Sequence, residues 1–146
     1  MLPAQPCEIK RVSKPVDIAW ATFVTGTTSR IFKLPVNAKI VDAGYFCEDL
    51  DSGATFDIDI DITDGTVVRQ VVDSNTVGQT GGYYGMATNG TSPITEGADS
   101  AFSALGYVIP DVDFYMLVTF VAVGDQDKNL QFFVSYTNIL EAGESN

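Results

Sequence analysis

There is no histidine anywhere in the 146 residues of this chain. That removes the Ser-His-Asp and Cys-His arrangements, histidine-ligated zinc and the commonest general base. Cysteine is nearly as scarce: Cys7 and Cys47 are too few for a disulfide framework, and there is no C-x-x-C. Eight basic residues stand against nineteen acids, for a formal net charge of −11. Phosphate contact needs a basic footprint, so no nucleic-acid partner is expected. Long apolar runs are missing as well. The most apolar stretch, Phe114 to Val123, is about half of what a membrane helix needs. The opening "MLPAQPCEIKRVSKP" lacks the apolar segment of a signal peptide. The expectation is a soluble protein made in a reducing cytosol, with no membrane partner. Asn89-Gly90-Thr91 fits the glycosylation sequon, and without a secretory signal it is read as chance.

Other catalytic signatures are also lacking. "GQTGGYYG", from Gly78 to Gly85, has neither the lysine nor the strand-to-helix setting of a phosphate-binding loop. A carboxylate pair could hydrolyse glycosides, but among nineteen acids some pair falls at a suitable distance by chance. No enzyme and no cofactor is expected.

What is present is β-strand. The chain has the length of one domain, and its 45% hydrophobic content is enough to fold. Short runs rich in Val, Ile, Phe, Tyr and Thr, bounded by Gly, Pro, Asn or Asp, predict strands near 16–25, 30–34, 38–48, 55–62, 66–72, 105–109, 114–124 and 130–138. Asp64-Gly65 predicts a hairpin. No helical period is convincing, apart from a turn or two over 98–105. The Gly- and Ser-rich section 73–105 reads as a long excursion, with Tyr83 and Tyr84 exposed in it. The fold class is all-β: a single-domain antiparallel β-sandwich, with a jelly roll the favoured topology. Trp20 lies on the apolar parity of its strand and is expected in the core.

Charge divides the chain. Lys10, Arg11, Lys14, Arg30, Lys33 and Lys39 crowd the first forty residues against only Glu8 and Asp17, while residues 41–146 carry seventeen acids against Arg69 and Lys128. This predicts an extended N-terminal arm over residues 1–15, kept open by Pro3, Pro6 and Pro15, and a sandwich domain over 16–146. Lys10, Arg11 and Lys14 are the arm's candidate partner-binding residues.

Two strands raise questions of their own. "TFDIDIDITDG" puts Phe56, Ile58, Ile60 and Ile62 on one parity and Asp57, Asp59 and Asp61 on the other. The aspartates are weak calcium candidates. Counted as an EF-hand loop from Asp57, the required Gly and Glu positions hold Ile62 and Val68. Asp57 and Asp61 also lie about 13 Å apart along a strand, too far to share an ion. A surface role is the better reading. "FYMLVTFVAV" is apolar on both parities, with Tyr115, Leu117, Val121 and Val123 opposite Phe114, Met116, Val118 and Phe120. Something must cover its second side: the chain itself or another subunit. Tyr115, Leu117 and Val121 are therefore candidate partner-binding residues.

The stretch "RIFKLPVNAKIVDAGYFCEDLDSGATFDIDIDITDG", from Arg30 to Gly65, resembles small β-sandwich virion proteins of tailed bacteriophages. These include the jelly-roll cement or decoration proteins of the head, along with head fibres and some tail adaptors. The likeness covers about a quarter of the chain well and the rest only by strand rhythm. It implies a non-enzymatic protein of the capsid surface, made in the host cytoplasm, often trimeric, with the major capsid protein as partner. No active residue is carried over. The alternatives are a tail or head-fibre component and a carbohydrate-binding module, in which Tyr83 and Tyr84 would offer stacking faces.

Overall fold

In the computed structural model, residues 8–17, 25–87 and 103–138 are described. Residues 1–7 of the expected arm, Trp20, the sequon at Asn89 and most of the helix expected over 98–105 lie outside them. Eight strands follow in order: β1 (Lys10–Asp17), β2 (Thr27–Lys33), β3 (Ala38–Cys47), β4 (Asp57–Thr63), β5 (Val68–Asn75), β6 (Gly82–Gly85), β7 (Tyr115–Ala122) and β8 (Asn129–Asn138). They form two four-stranded antiparallel sheets, β1-β8-β3-β6 and β2-β7-β4-β5. The pairs β1·β8, β2·β7, β3·β6 and β4·β5 nest inside one another like a long folded hairpin, which is the jelly-roll arrangement. The expected all-β sandwich is what the chain forms.

Alternation builds the dry layer between the sheets. Ile58, Ile60 and Ile62 of β4 are fully buried, as are Met116, Val118 and Phe120 of β7. Tyr45 on β3 and Phe132 and Val134 on β8 meet them from the other sheet. The Tyr45 hydroxyl donates to Asn75 Oδ1, so its one polar atom is satisfied inside.

Where alternation would aim a residue wrongly, a bulge corrects it. Ala38, Ile40 and Asp42 share a parity, yet Asp42 faces out because Val41 is extra in the β3–β8 register. β5 carries extra residues at Asp73–Ser74 and at Val71, so Val71 and Val72 are both buried. Ser74 takes φ of +65° at the first of these.

Carboxylates pin the loops at both ends of β4. Asp51 is buried and accepts N–H bonds from Gly53 (3.0 Å), Thr55 (2.7 Å) and Phe56 (2.7 Å). The Phe56 bond leads in holding its carboxyl below the ordinary range. Asp64 closes the expected hairpin by accepting from Thr66 (2.8 Å) and Val67 (2.7 Å).

Eight strands were expected and eight are described, but the sets differ. Of the first expected strand, 16–25, residues 18–24 lie outside the described ones, and β1 at Lys10–Asp17 was not expected. Segment 105–109 makes only an isolated bridge, Val108 to Lys39. The eighth strand is instead β6, inside the section read as an excursion, and it buries Tyr84. The exposure expected for Tyr84 is corrected: its ring packs beside Tyr45 in the core.

β6 packs so closely that a Cβ on Gly44 would lie 1.8 Å from the Tyr84 carbonyl oxygen. Gly44→Ala should therefore lower the unfolding free energy by at least about 2 kcal/mol in urea denaturation. A loss within about 0.5 kcal/mol would mean that β6 moves aside freely.

Candidate interaction surfaces

The molecule presents two outer sheet faces, and all the expected site residues but Lys10 and Lys14 divide between them. Lys10, Arg11 and Lys14 lie on β1, hydrogen-bonded in register with β8 from Lys10↔Tyr136 to Asp17↔Asn129. Any arm that orders on docking therefore ends before Lys10. The three cations do not share a face. Arg11 points outward, donating from Nε to Ser135 Oγ (2.9 Å), with its guanidinium 4.3 Å above the Phe133 ring. Lys10 and Lys14 fall on the opposite parity of this edge strand, with Val12 and Val16.

The outer face of the first sheet is a lattice of cross-strand rows. Arg11, Ser135 and Asp42 form one; Ser13, Phe133, Gly44 and Gly85 the next; Pro15, Gln131, Phe46 and Tyr83 the third. Gly44 and Gly85 leave room, and the Tyr83 ring lies across Gly85 toward Asp42. Tyr83 stacks on Phe133 (5.7 Å between centroids, 9° between planes). Phe133 is thus fully buried on an outward face, while Phe46 and Tyr83 remain 37% and 38% exposed. Beside them is an open groove of about 470 Å³, lined by Pro15, Phe46, Cys47, Glu48, Asn129, Leu130 and Gln131. The Cys47 thiol is pushed up to about 11, first by burial, with Asp49 and Glu48 adding to the effect against a Gly82 N–H.

The outer face of the second sheet is sorted by charge, column by column. β2 contributes Thr28, Arg30 and Lys33; β7 contributes Tyr115, Leu117, Thr119 and Val121; β4 contributes Asp57, Asp59 and Asp61. The Arg30 guanidinium lies 4.1 Å from the Tyr115 ring centroid, and Lys33 Nζ pairs with Asp113 at 2.9 Å. Tyr115 and Leu117 are half-buried and Val121 is exposed.

The aspartate column is tied to β5. Ser74 donates its N–H to Asp59 (2.7 Å) and its hydroxyl to Asp57 (2.9 Å). Burial and the neighbouring Asp73 carboxyl raise Asp59 despite the Ser74 bond. Burial first, then repulsion from Asp59 and Asp73, pushes Asp61 up to about 6. Among the described residues, no three His, Cys, Asp or Glu side chains are grouped to hold a metal ion. Sequence reasoning saw the acidic and apolar columns separately. It missed the basic column beside them, and on the first-sheet face it picked out Arg11 and Tyr83 but not Phe46 or Phe133, because neighbours across strands are not neighbours in sequence.

No protein-family model matches this sequence, and no curated protein matches it. Solved structures do. The chain is similar to a chain of the capsid of Ralstonia phage GP4 (TM-score 0.65, 19% identity, 94% of this chain and 89% of that one). It is similar to the same degree to a chain of the cyanophage Pam1 capsid asymmetric unit (TM-score 0.64, 19% identity, 94% and 91%). At this identity the likeness is one of fold.

Asp61 holds its proton more tightly folded than unfolded. Its contribution to stability is therefore full at low pH and is lost as pH rises through about 6. Asp51, Asp64 and Asp125 are shifted the other way and lose their contributions only at more acid pH. The melting temperature should fall between about pH 5 and pH 8, and Asp61→Asn should melt a few degrees higher at pH 8 with a flatter profile. Superimposable profiles would refute the assignment. An unchanged melt in chelator would remove the calcium reading of Asp57, Asp59 and Asp61.

Proposed function

We propose that this chain is a structural protein of a tailed-phage particle, a cement or decoration protein that binds the outer surface of the head. The observation that carries the reading is the shared fold, end to end, with chains of two phage capsids. The missing histidine and the lack of a catalytic motif agree with a role that is mechanical, not chemical. The partner in this reading is the major capsid protein. The location is the virion surface, after synthesis in the host cytoplasm, and the copies associate, with a trimer the assembly that the family resemblance implies.

Such a protein acts by added contact area. A standard interface buries roughly 1,600 Å², and repetition over a closed lattice makes modest contacts collectively strong. Both outer faces here offer apolar side chains for it: Phe46 and Tyr83 on the first sheet, Leu117 and Val121 on the second. A second reading, carbohydrate binding, is favoured by the exposure of Phe46 and Tyr83 beside the groove, where the rings could stack on a sugar. In that case Tyr83→Ala abolishes glycan binding by the free protein.

The deciding measurement is the copy number of this chain in purified particles relative to the major shell protein, by quantitative mass spectrometry. A near-stoichiometric ratio is expected. A trace ratio would move the protein to the tail or to a fibre, and its absence would sink the virion reading. Removal of residues 1–7, which leaves β1 whole, should weaken binding to shells without changing the melt. Unchanged binding would refute the docking arm.

A further inference from the structure

The second sheet's outer face is complementary to itself, in one orientation only. Its cross-strand rows are fixed by register. Arg30, Leu117 and Asp61 form one row, because both Arg30 and Asp61 pair with Leu117; Thr28, Thr119 and Asp59 form the next. Each row thus runs from a cationic or hydroxyl side chain on β2, through an apolar or neutral one on β7, to a carboxylate on β4.

Stack two such faces about a two-fold axis. If the axis lies across the strands, each column meets itself, and Asp57, Asp59 and Asp61 of one copy face the same residues of the other. Like charges so placed repel each other and exclude the arrangement. If the axis lies along β7, the columns are exchanged about β7 and the row heights are kept. Arg30 then faces the partner copy's acidic column at the height of Asp61, twice over by symmetry. Leu117 meets Leu117 and Val121 meets Val121. The geometry points to this second arrangement: a symmetric pairing of two copies of this chain through the outer face of β2-β7-β4, with Arg30 of each copy against Asp61 of the other.

The physical terms agree. Sheets stack face to face about 10 Å apart and turn about 30° through their twist, a gap that an arginine side chain spans. Asp61 already sits under the repulsion of Asp59 on its own strand and Asp73 on β5, with Gln70 and Leu117 opposite it. A cation from outside relieves that repulsion. The overlapping area is small. Three strands at about 4.8 Å spacing over some 20 Å of length make a footprint of roughly 300 Å² per copy, well under the standard interface. Pairing is therefore weak in dilute solution and shows at high concentration. It is a property of the free chain and does not depend on the shell reading.

The experiment is sedimentation equilibrium of the full chain, up to about millimolar, at low salt and pH near 8. A monomer–dimer equilibrium is expected. Arg30→Glu and Asp61→Arg should each weaken it at least tenfold, since each reversal acts at two symmetric places. The double variant carrying both should return to within about threefold of the parent. Within one chain the two residues are two strand spacings apart, about 10 Å, so this rescue reports pairing between copies. Leu117→Asp should leave monomer, with circular dichroism and the melt confirming the fold of every variant. A chain that stays monomeric throughout overturns the proposal. So does an oligomer, trimer included, that ignores both reversals, or a double variant that is not rescued.

Discussion

Three isoleucines on β4 set the terms for the residues around them. Ile58, Ile60 and Ile62 fill the space between the sheets, with Phe120, Val118 and Met116 paired to them on β7. Because side chains alternate with a period of two, burying the isoleucines turns Asp57, Asp59 and Asp61 outward. The converse is as important. A slip of one residue would drive three carboxylates into an apolar layer, a loss no neighbouring contact could offset. The aspartates therefore hold the register of the sandwich from outside, whatever else they meet there.

That strictness needs relief elsewhere, and the bulges supply it. Val41 lets β3 switch parity so that Asp42 faces out, where it accepts N–H bonds from Ala43 (2.9 Å) and Ala87 (3.0 Å). The two irregularities in β5 let adjacent valines both enter the core and bring Ser74 back under Asp57 and Asp59. A strand pair with a rigid side and a compliant side can satisfy the core and the carboxylates together. Neither requirement has to yield.

The strands that were legible in the sequence were those with a β-rich apolar run between turn residues, bulged or not. β2, β3, β4, β5, β7 and β8 appear within a few residues of where their patterns put them, and Asp64-Gly65 makes the hairpin it signals. The strands that were not legible had a physical reason to hide. β6 is four residues, two of them glycine, and owes its existence to β3. β1 carries Lys10, Arg11, Lys14 and Pro15, tolerable only because it is an edge strand. Of the interaction surfaces, the sequence revealed the apolar and acidic columns as strand faces. Their alignment with Arg30 is a product of pairing between strands far apart in the chain, and so is the Phe46–Tyr83–Phe133 cluster.

Cys47 carries a consequence for the protein's chemistry over time. Its thiol lines the groove, yet burial and two acidic neighbours keep it protonated at neutral pH. Only the thiolate attacks disulfides or oxidants at a useful rate, and the raised pKa keeps its share small at pH 7. Oxidation and disulfide exchange at this position are slowed accordingly. The low reactivity of this thiol is then a matter of where the fold places one sulfur atom.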